Sequence, residues 1–294
     1  MSEYTNSDLF LEPKTTQYGS HMVMSNVQKQ TKVKLINVDT KFRDEYNYLQ
    51  TSNYNITLPE RITDVKSLII TNIEIPITFF NISTNLGNNC FKVNNTVIIV
   101  PDGQYDGAAL SSKINTLLSG LNLTYIYNGT TSSFHTNTPS SSVVIEFDIN
   151  TTGQSDKYNF KSKLGWILGY RNTTYTVGTS NTISEGFVDL TGPRYLYLAI
   201  DEFNKGNQNS FINPLFNSKI NKNIIARITL NNTTYGFKTV FPANLFNGYL
   251  NSDVRNYTGK IDLLRFNVQL LNESGIPMQL NGIDFSFLMK VEHE

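Results

Sequence analysis

The sequence predicts an all-β fold, a sandwich or single jelly roll, with one helix inserted near residues 106–120. Three observations carry this. About ten short segments either alternate apolar and polar residues or run apolar between turn residues, rich in Val, Ile, Thr and aromatics. Only one stretch repeats apolar residues at helical spacing over several turns. Strands do not alternate with helices, which argues against a doubly wound parallel sheet, and no 20-to-50-residue repeat is present.

The elements follow in order. Residues 1–31 hold no sustained period of two or 3.6 and are expected to form an extended N-terminal arm; residues 32–294 are expected to form one jelly-roll domain with elaborated loops. Val33 and Leu35 alternate with Lys32 and Lys34, the pattern of a half-buried strand. Tyr54–Leu58 alternates as well and is expected to stop at Pro59; Val65–Ile75 is an Ile-rich strand closed by Pro76. Phe91–Val93 and Thr96–Val100 flank Asn94-Asn95, a two-residue hairpin signal because Asn tolerates positive φ. Asp106 is placed to cap a helix whose Leu110, Ile114, Leu117, Leu118 and Leu121 share a stripe, with Gly120 as the stop. Strands are expected at 123–127, 142–147, 195–200, 224–230, 261–271 and 283–291, with a short helical piece at 163–168. The links 201–223 and 231–260 are long, dense in Asn, Gly, Pro and aromatics, and expected to meet partners.

Composition narrows the function. The 24 basic and 24 acidic residues cancel, so no net field attracts nucleic acid or an anionic membrane. Polarity comes instead from 37 Asn and 31 Thr, which suits a surface packed against protein. The single Cys90 excludes an intramolecular disulfide and points to a reducing compartment. No basic-then-apolar leader opens the sequence, and no apolar run approaches the ~20 residues of a membrane span. Gly165-Trp-Ile-Leu-Gly169 has GxxxG spacing but lies between Lys163 and Arg171, which excludes a membrane dimer face and leaves a short amphipathic turn.

Reactive patterns are sparse. His21, His135 and His293 are far apart in sequence, so no local cluster offers a metal site. Cys90 lies among strand formers, where a thiol serves as a small hydrophobe. Gly-x-Ser-x-Gly, Gly-x-Gly-x-x-Gly and Gly-x4-Gly-Lys do not occur. Glu146 with Asp148, and Asp201 with Glu202, are the carboxylate pairs a glycosidase would require across a cleft. Asp148-Ile-Asn150-Thr-Thr152-Gly153 imitates half of an EF-hand loop, but Asn159 stands where the bidentate Glu belongs, and a polar turn explains it. Asn-x-Ser/Thr sequons, among them Asn55, Asn81, Asn122, Asn128, Asn172, Asn231, Asn256 and Asn272, follow from the Asn and Thr excess. Lys29, Lys32, Lys34, Lys41 and Arg43 make a basic cluster diluted by Asp39, Asp44 and Glu45, which reads as a solvated face. Tyr235, Tyr249 and Tyr257 in the later links are candidates for stacking on sugars.

Six stretches matter together: Thr15–Met24, Leu35–Arg43, Pro101–Tyr105, Leu164–Arg171, Pro193–Asn204, and Leu264–Leu271 followed by Gly282–Phe287. In order and spacing this set resembles the single jelly-roll capsid proteins of nucleocytoplasmic large DNA viruses, in particular their penton (vertex) proteins. The resemblance implies a structural, non-enzymatic virion protein without catalytic residues, cofactor or metal. It implies homopentamers at the fivefold vertices, assembled in the host cytoplasm beside the major capsid protein and minor capsid proteins, with no specific nucleic acid and no membrane insertion. A minor capsid protein elsewhere in the shell, a glycan-binding attachment module and, more remotely, a carboxylate-pair hydrolase are the alternatives.

Overall fold

The computed structural model describes residues 30–45, 47, 50–178, 180–203 and 223–294; most of the expected arm, with its Thr15–Met24 stretch and His21, lies outside them. Fourteen strands are present among the described residues: β1 (Lys32–Asp39), β2 (Asn53–Pro76), β3 (Cys90–Val93), β4 (Thr96–Ile99), β5 (Tyr125–Asn128), β6 (Ser133–Thr136), β7 (Val143–Glu146), β8 (Thr174–Val177), β9 (Tyr195–Asp201), β10 (Ile224–Thr229), β11 (Val240–Asn244), β12 (Leu250–Ser252), β13 (Arg255–Leu271) and β14 (Ser286–His293). Two α-helices join them, α1 (Gly107–Leu117) and α2 (Leu164–Ile167).

The register makes the jelly roll. β2 and β13 are long enough to bend and serve two layers each. The N-terminal arm of β2 (53–62) pairs with the C-terminal arm of β13, which pairs with β9, which pairs with β10. The C-terminal arm of β2 (65–76) pairs with β14 on one side, and β14 with β1. On its other side this arm pairs with β11 and with the start of β13. Counting eight arms along the chain, the layers run 1-8-3-6 and 2-7-4-5, all antiparallel, which is the double Greek key of a jelly roll. The bend in β2 falls at Asp64 (φ 55°), and β13 shifts register between Asn256 and Ile261. The apolar faces enclose one core, including Val65, Ile70, Ile73, Leu198, Ile228, Phe241, Phe266 and Phe287.

Residues 77–194 leave this roll and build a second core. A sheet ordered β4-β3-β7-β8, the β5-β6 hairpin, α1 and α2 enclose Phe91, Leu110, Ile114, Tyr125, Phe134, Phe147, Leu164 and Tyr170. Asp106 caps α1 by accepting from the Ala109 N–H at 2.7 Å, and Asn94 turns the β3-β4 hairpin at φ 52°.

The structure corrects the sequence reading at several elements. Pro59 does not end a strand: β2 runs through it, because the ladder with β13 skips from Thr57 to Ile62 and no N–H is required between them. Val33 and Leu35 face outward on the edge strand β1; Ile36 and Val38 of the other phase are the covered ones. The link 231–260 contains β11, β12 and the start of β13, and β6 and β8 fall in stretches expected to be irregular. These strands are three to six residues long, too short for alternation to stand out.

Candidate functional site

The expected reactive groups are dispersed and already satisfied. Cys90 is buried, its thiol pushed up by burial, with Sγ 3.6 Å from the Ile149 carbonyl. Glu146 pairs with Lys92 at 2.8 Å, and Asp148 accepts from the Ser155 hydroxyl. The EF-hand-like stretch is an Asn-built turn. Asn150 Oδ1 accepts from the Thr152 and Gln154 N–H groups, both at 3.0 Å, and Gly153 supplies φ 82°. Among the described residues no group of three or more His, Cys, Asp or Glu is placed to hold a metal. In the same set no helix is long and apolar enough to cross a membrane.

The two glycines of the GxxxG spacing answer to different demands. A Cβ on Gly165 would lie 2.3 Å from Phe147 Cγ, so the helix α2 sits directly on that ring. Gly169 adopts φ 95°, and its carbonyl accepts from the Gly186 N–H at 2.8 Å. Arg171 then folds its guanidinium 4.2 Å from the centroid of Trp166, a cation–π contact.

The three tyrosines named as sugar platforms are structural. Tyr235 and Tyr249 pack against Phe241 with ring centroids at 5.1 and 5.2 Å. Tyr257 donates to Glu202, and burial with that carboxylate pushes its hydroxyl far above the ordinary range.

Two ion clasps that sequence reasoning missed hold the arms of the roll. Glu202 is not half of a catalytic pair: its side chain is buried against Arg255, Nη1 to Oε1 at 2.7 Å and to Oε2 at 3.0 Å. Arg255 also donates to the Ile200 carbonyl and, through Nη2, to the Asn223 carbonyl, both at 2.8 Å. One guanidinium therefore ties β13 to both ends of the β9-β10 connection. The sequence signal was an arginine in phase with apolar strand positions, legible only once the register of β13 is known. The second clasp is Arg43 with Asp284 at 3.0 Å, Thr40 donating to the same carboxylate at 2.8 Å. Thr40 N–H meets the Phe285 carbonyl, and Phe285 N–H meets Thr40 Oγ1.

These contacts join three of the stretches that carry the sequence resemblance. Leu35–Arg43 meets Gly282–Phe287 through the Arg43–Asp284 clasp. Pro193–Asn204 meets Leu264–Leu271 along the β9-β13 ladder. Pro101–Tyr105 closes on Asn81, whose side chain bonds Tyr105 N–H at 2.9 Å and the Tyr105 and Leu190 carbonyls at 2.8 Å.

One dyad-like contact also emerges, Ser133 Oγ to His135 Nε2 at 2.8 Å, with Thr131 Oγ1 2.6 Å from the same Ser133 oxygen. The i, i+2 spacing on β6 puts both on one face. Among the described residues no carboxylate meets the other ring nitrogen, so nothing orients the imidazole as a base.

No family model and no curated protein matches this chain. Solved structures with a similar course include the mavirus penton protein, with TM-score 0.45 and 10% identity over 90% of this chain and all of that one. A chain of the Sputnik virophage, solved by cryo-electron microscopy, gives TM-score 0.43 and 11% identity over 90% and 98% respectively.

Proposed function

We propose that this chain is a structural capsid protein, the penton protein of a large icosahedral DNA virus, acting in the virion as a homopentamer that closes the fivefold vertices. One observation carries the reading: three of the six sequence stretches that resemble penton proteins meet in the jelly roll, Leu35–Arg43 joining Gly282–Phe287 through the Arg43–Asp284 clasp 241 residues apart, and Pro193–Asn204 joining Leu264–Leu271 along the β9-β13 ladder. Motifs placed to hold arms together act in architecture. Identical subunits repeating one heterologous contact around an axis form a ring that closes, and the near absence of net charge keeps repulsion between them small. The partners are then further copies of this chain, the neighbouring major capsid protein and minor capsid proteins, with assembly in the host cytoplasm. No catalytic role, cofactor, membrane insertion or specific nucleic acid is part of the proposal.

The glycan-attachment reading loses its named residues, since Tyr235, Tyr249 and Tyr257 pack within the chain. A reconstruction of the assembled particle tests the proposal. Density for this fold at the fivefold axes is expected; density only elsewhere in the shell would make it a minor capsid protein.

A further inference from the structure

We infer that copies of this chain join side by side, with the β11 edge of the 1-8-3-6 layer on one copy docking by its side chains against the β1 edge of the next. The inference rests on the proposed ring and names the surfaces that would build it.

Both edges of this layer carry large apolar side chains in water. On the β1 edge, Val33 is 53% exposed, Leu35 64% and, just beyond the strand, Phe42 70%. On the opposite edge, Val240 of β11 is 59% exposed and Phe246 is 98% exposed. Phe246 does not dangle. Asn244 Oδ1 accepts from the Phe246 and Asn247 N–H groups at 2.9 Å, Asn247 Oδ1 accepts from Asn244 and Tyr249 N–H at 3.1 Å, and Gly248 turns at φ 79°. A turn fixed in this way holds the backbone beneath an exposed aromatic, so docking has only the ring itself left to order.

The register sets the two edges at matching heights. Leu35 pairs with Lys290, which pairs with Ile69. On the far edge, the Leu245 N–H reaches the Thr71 carbonyl and Ser252 Oγ accepts from Ile70 N–H, so the Phe246 turn stands level with Leu35. Asp39 pairs with Ser286, Ser286 with Glu74 and Glu74 with Pro242, which brings Phe42 and Val240 level at one end.

Charge favours the same pairing. Among the described contacts Lys32 and Lys41 on the β1 edge, beside one acid Asp39, have no carboxylate partner, and Asp253, next to the Ser252 that meets β2 on the β11 side, has no cation. Lys238 is the exception on that side, folded over the Phe237 ring. Pro242 offers no N–H, which blunts β11 against strand addition and leaves side-chain docking as the mode. The occupant of each edge is therefore a second copy of this chain presenting the other edge.

The test uses the full chain in solution. Light scattering on the unaltered protein is expected to give a closed oligomer, and Phe246→Asp or Leu35→Asp each to give a monomer with an unchanged circular dichroism spectrum, losing in melting only what assembly adds. Mixing the two variants should restore a 1:1 dimer and nothing larger, because each keeps one intact edge. A chain carrying both Leu35→Cys and Phe246→Cys, treated with a short bis-maleimide, should ladder up to the ring size, while a chain with either substitution alone does not pass the dimer, Cys90 being buried. An oligomer that survives both aspartate variants and fails to ladder overturns the inference and leaves the capsid reading standing. A monomeric unaltered chain at high micromolar concentration also overturns it. The capsid reading falls separately, on the absence of the chain from the particle.

Discussion

The two cores of this chain are built on opposite plans. The jelly roll packs mainly aliphatic side chains between strands as long as 24 residues, and its closing pairs join the far ends of the chain, Lys32 with His293. The 77–194 excursion uses four-residue strands and a connected set of rings: Phe147 stacks on Tyr170 at 5.0 Å, and Tyr125 meets Phe91, Phe134 and Tyr170 edge-on. The longest strand pairing inside it, Lys92 with Glu146, is far shorter in sequence than the roll's, so it closes smaller loops. Aromatic rings bury large area from few positions, which lets short strands enclose a core. The roll, with many strand positions to spend, does it with Ile, Leu and Val.

This contrast predicts two cooperative units, and a matched pair of substitutions can break that. Phe266 and Phe147 are both fully buried, one in each core. Replacing either by Ala is expected to cost about 3–5 kcal/mol. Hydrogen exchange on Phe147→Ala should lose protection across 90–177 while β2, β13 and β14 keep theirs. Phe266→Ala should lower protection throughout the roll. Uniform loss in both variants would mean a single cooperative unit.

The cores also differ in how they hold polar groups. The roll encloses both partners of the Arg255–Glu202 pair, whereas the excursion leans on the amides of Asn81, Asn88 and Asn89 and on a buried Lys163 whose partner Asp156, at 2.7 Å, is part-exposed. Arg255→Met leaves the Glu202 carboxylate buried without its guanidinium and should cost about 3 kcal/mol or slightly more. Adding Glu202→Leu should recover most of that loss in denaturant titration. A single variant as stable as the unaltered chain would show that solvent reaches Glu202.

How much of this was legible depended on strand length. The α1 cap at Asp106, the Asn94 hairpin and the Ile-rich arm closed by Pro76 follow from local chemistry and stand where the sequence placed them. The burial phase of β1 was not legible, because Val33, Leu35, Ile36 and Val38 place apolar residues in both phases and only the pairing with β14 chooses between them. The second core escaped although four of its strands were expected, because a four-residue strand carries no signal of which strands it will pair with, and the rings that join them lie apart in sequence. The role of Glu202 escaped because its partner lies 53 residues away.

Gly169 probes the excursion alone and should give a smaller effect. An Ala there would hold φ 95° with a side chain and place Cβ 2.1 Å from the Gly186 carbonyl oxygen, which is backbone and cannot swing aside. The expected loss is about 1–3 kcal/mol, read in calorimetry as a shift of the excursion's transition only. A shift of the roll's transition by the same amount would merge the two units.

The smallest effect lies in the roll, where acid should loosen the closing strand. Glu294 accepts from Lys260 at 2.6 Å and from Lys66 at 2.8 Å, and its N–H reaches the Asp64 carbonyl at the bend of β2. The two ammonium groups hold its carboxyl down to about 2, from an ordinary 4.5. A group whose value is lowered by folding stabilises the fold above its unfolded value and ceases to do so as pH falls through the folded one. The contribution should therefore be whole above pH 4.5 and disappear toward pH 2. Because both lysines of the pairs are solvent-exposed, salt screens the pairs and the effect is modest. Glu294→Gln should melt slightly lower than the unaltered chain at neutral pH and converge with it near pH 2, with amide exchange at 286–293 the most sensitive readout. A constant gap between the two melting curves across that range would place the stabilisation in the backbone bond to Asp64 instead of the charge.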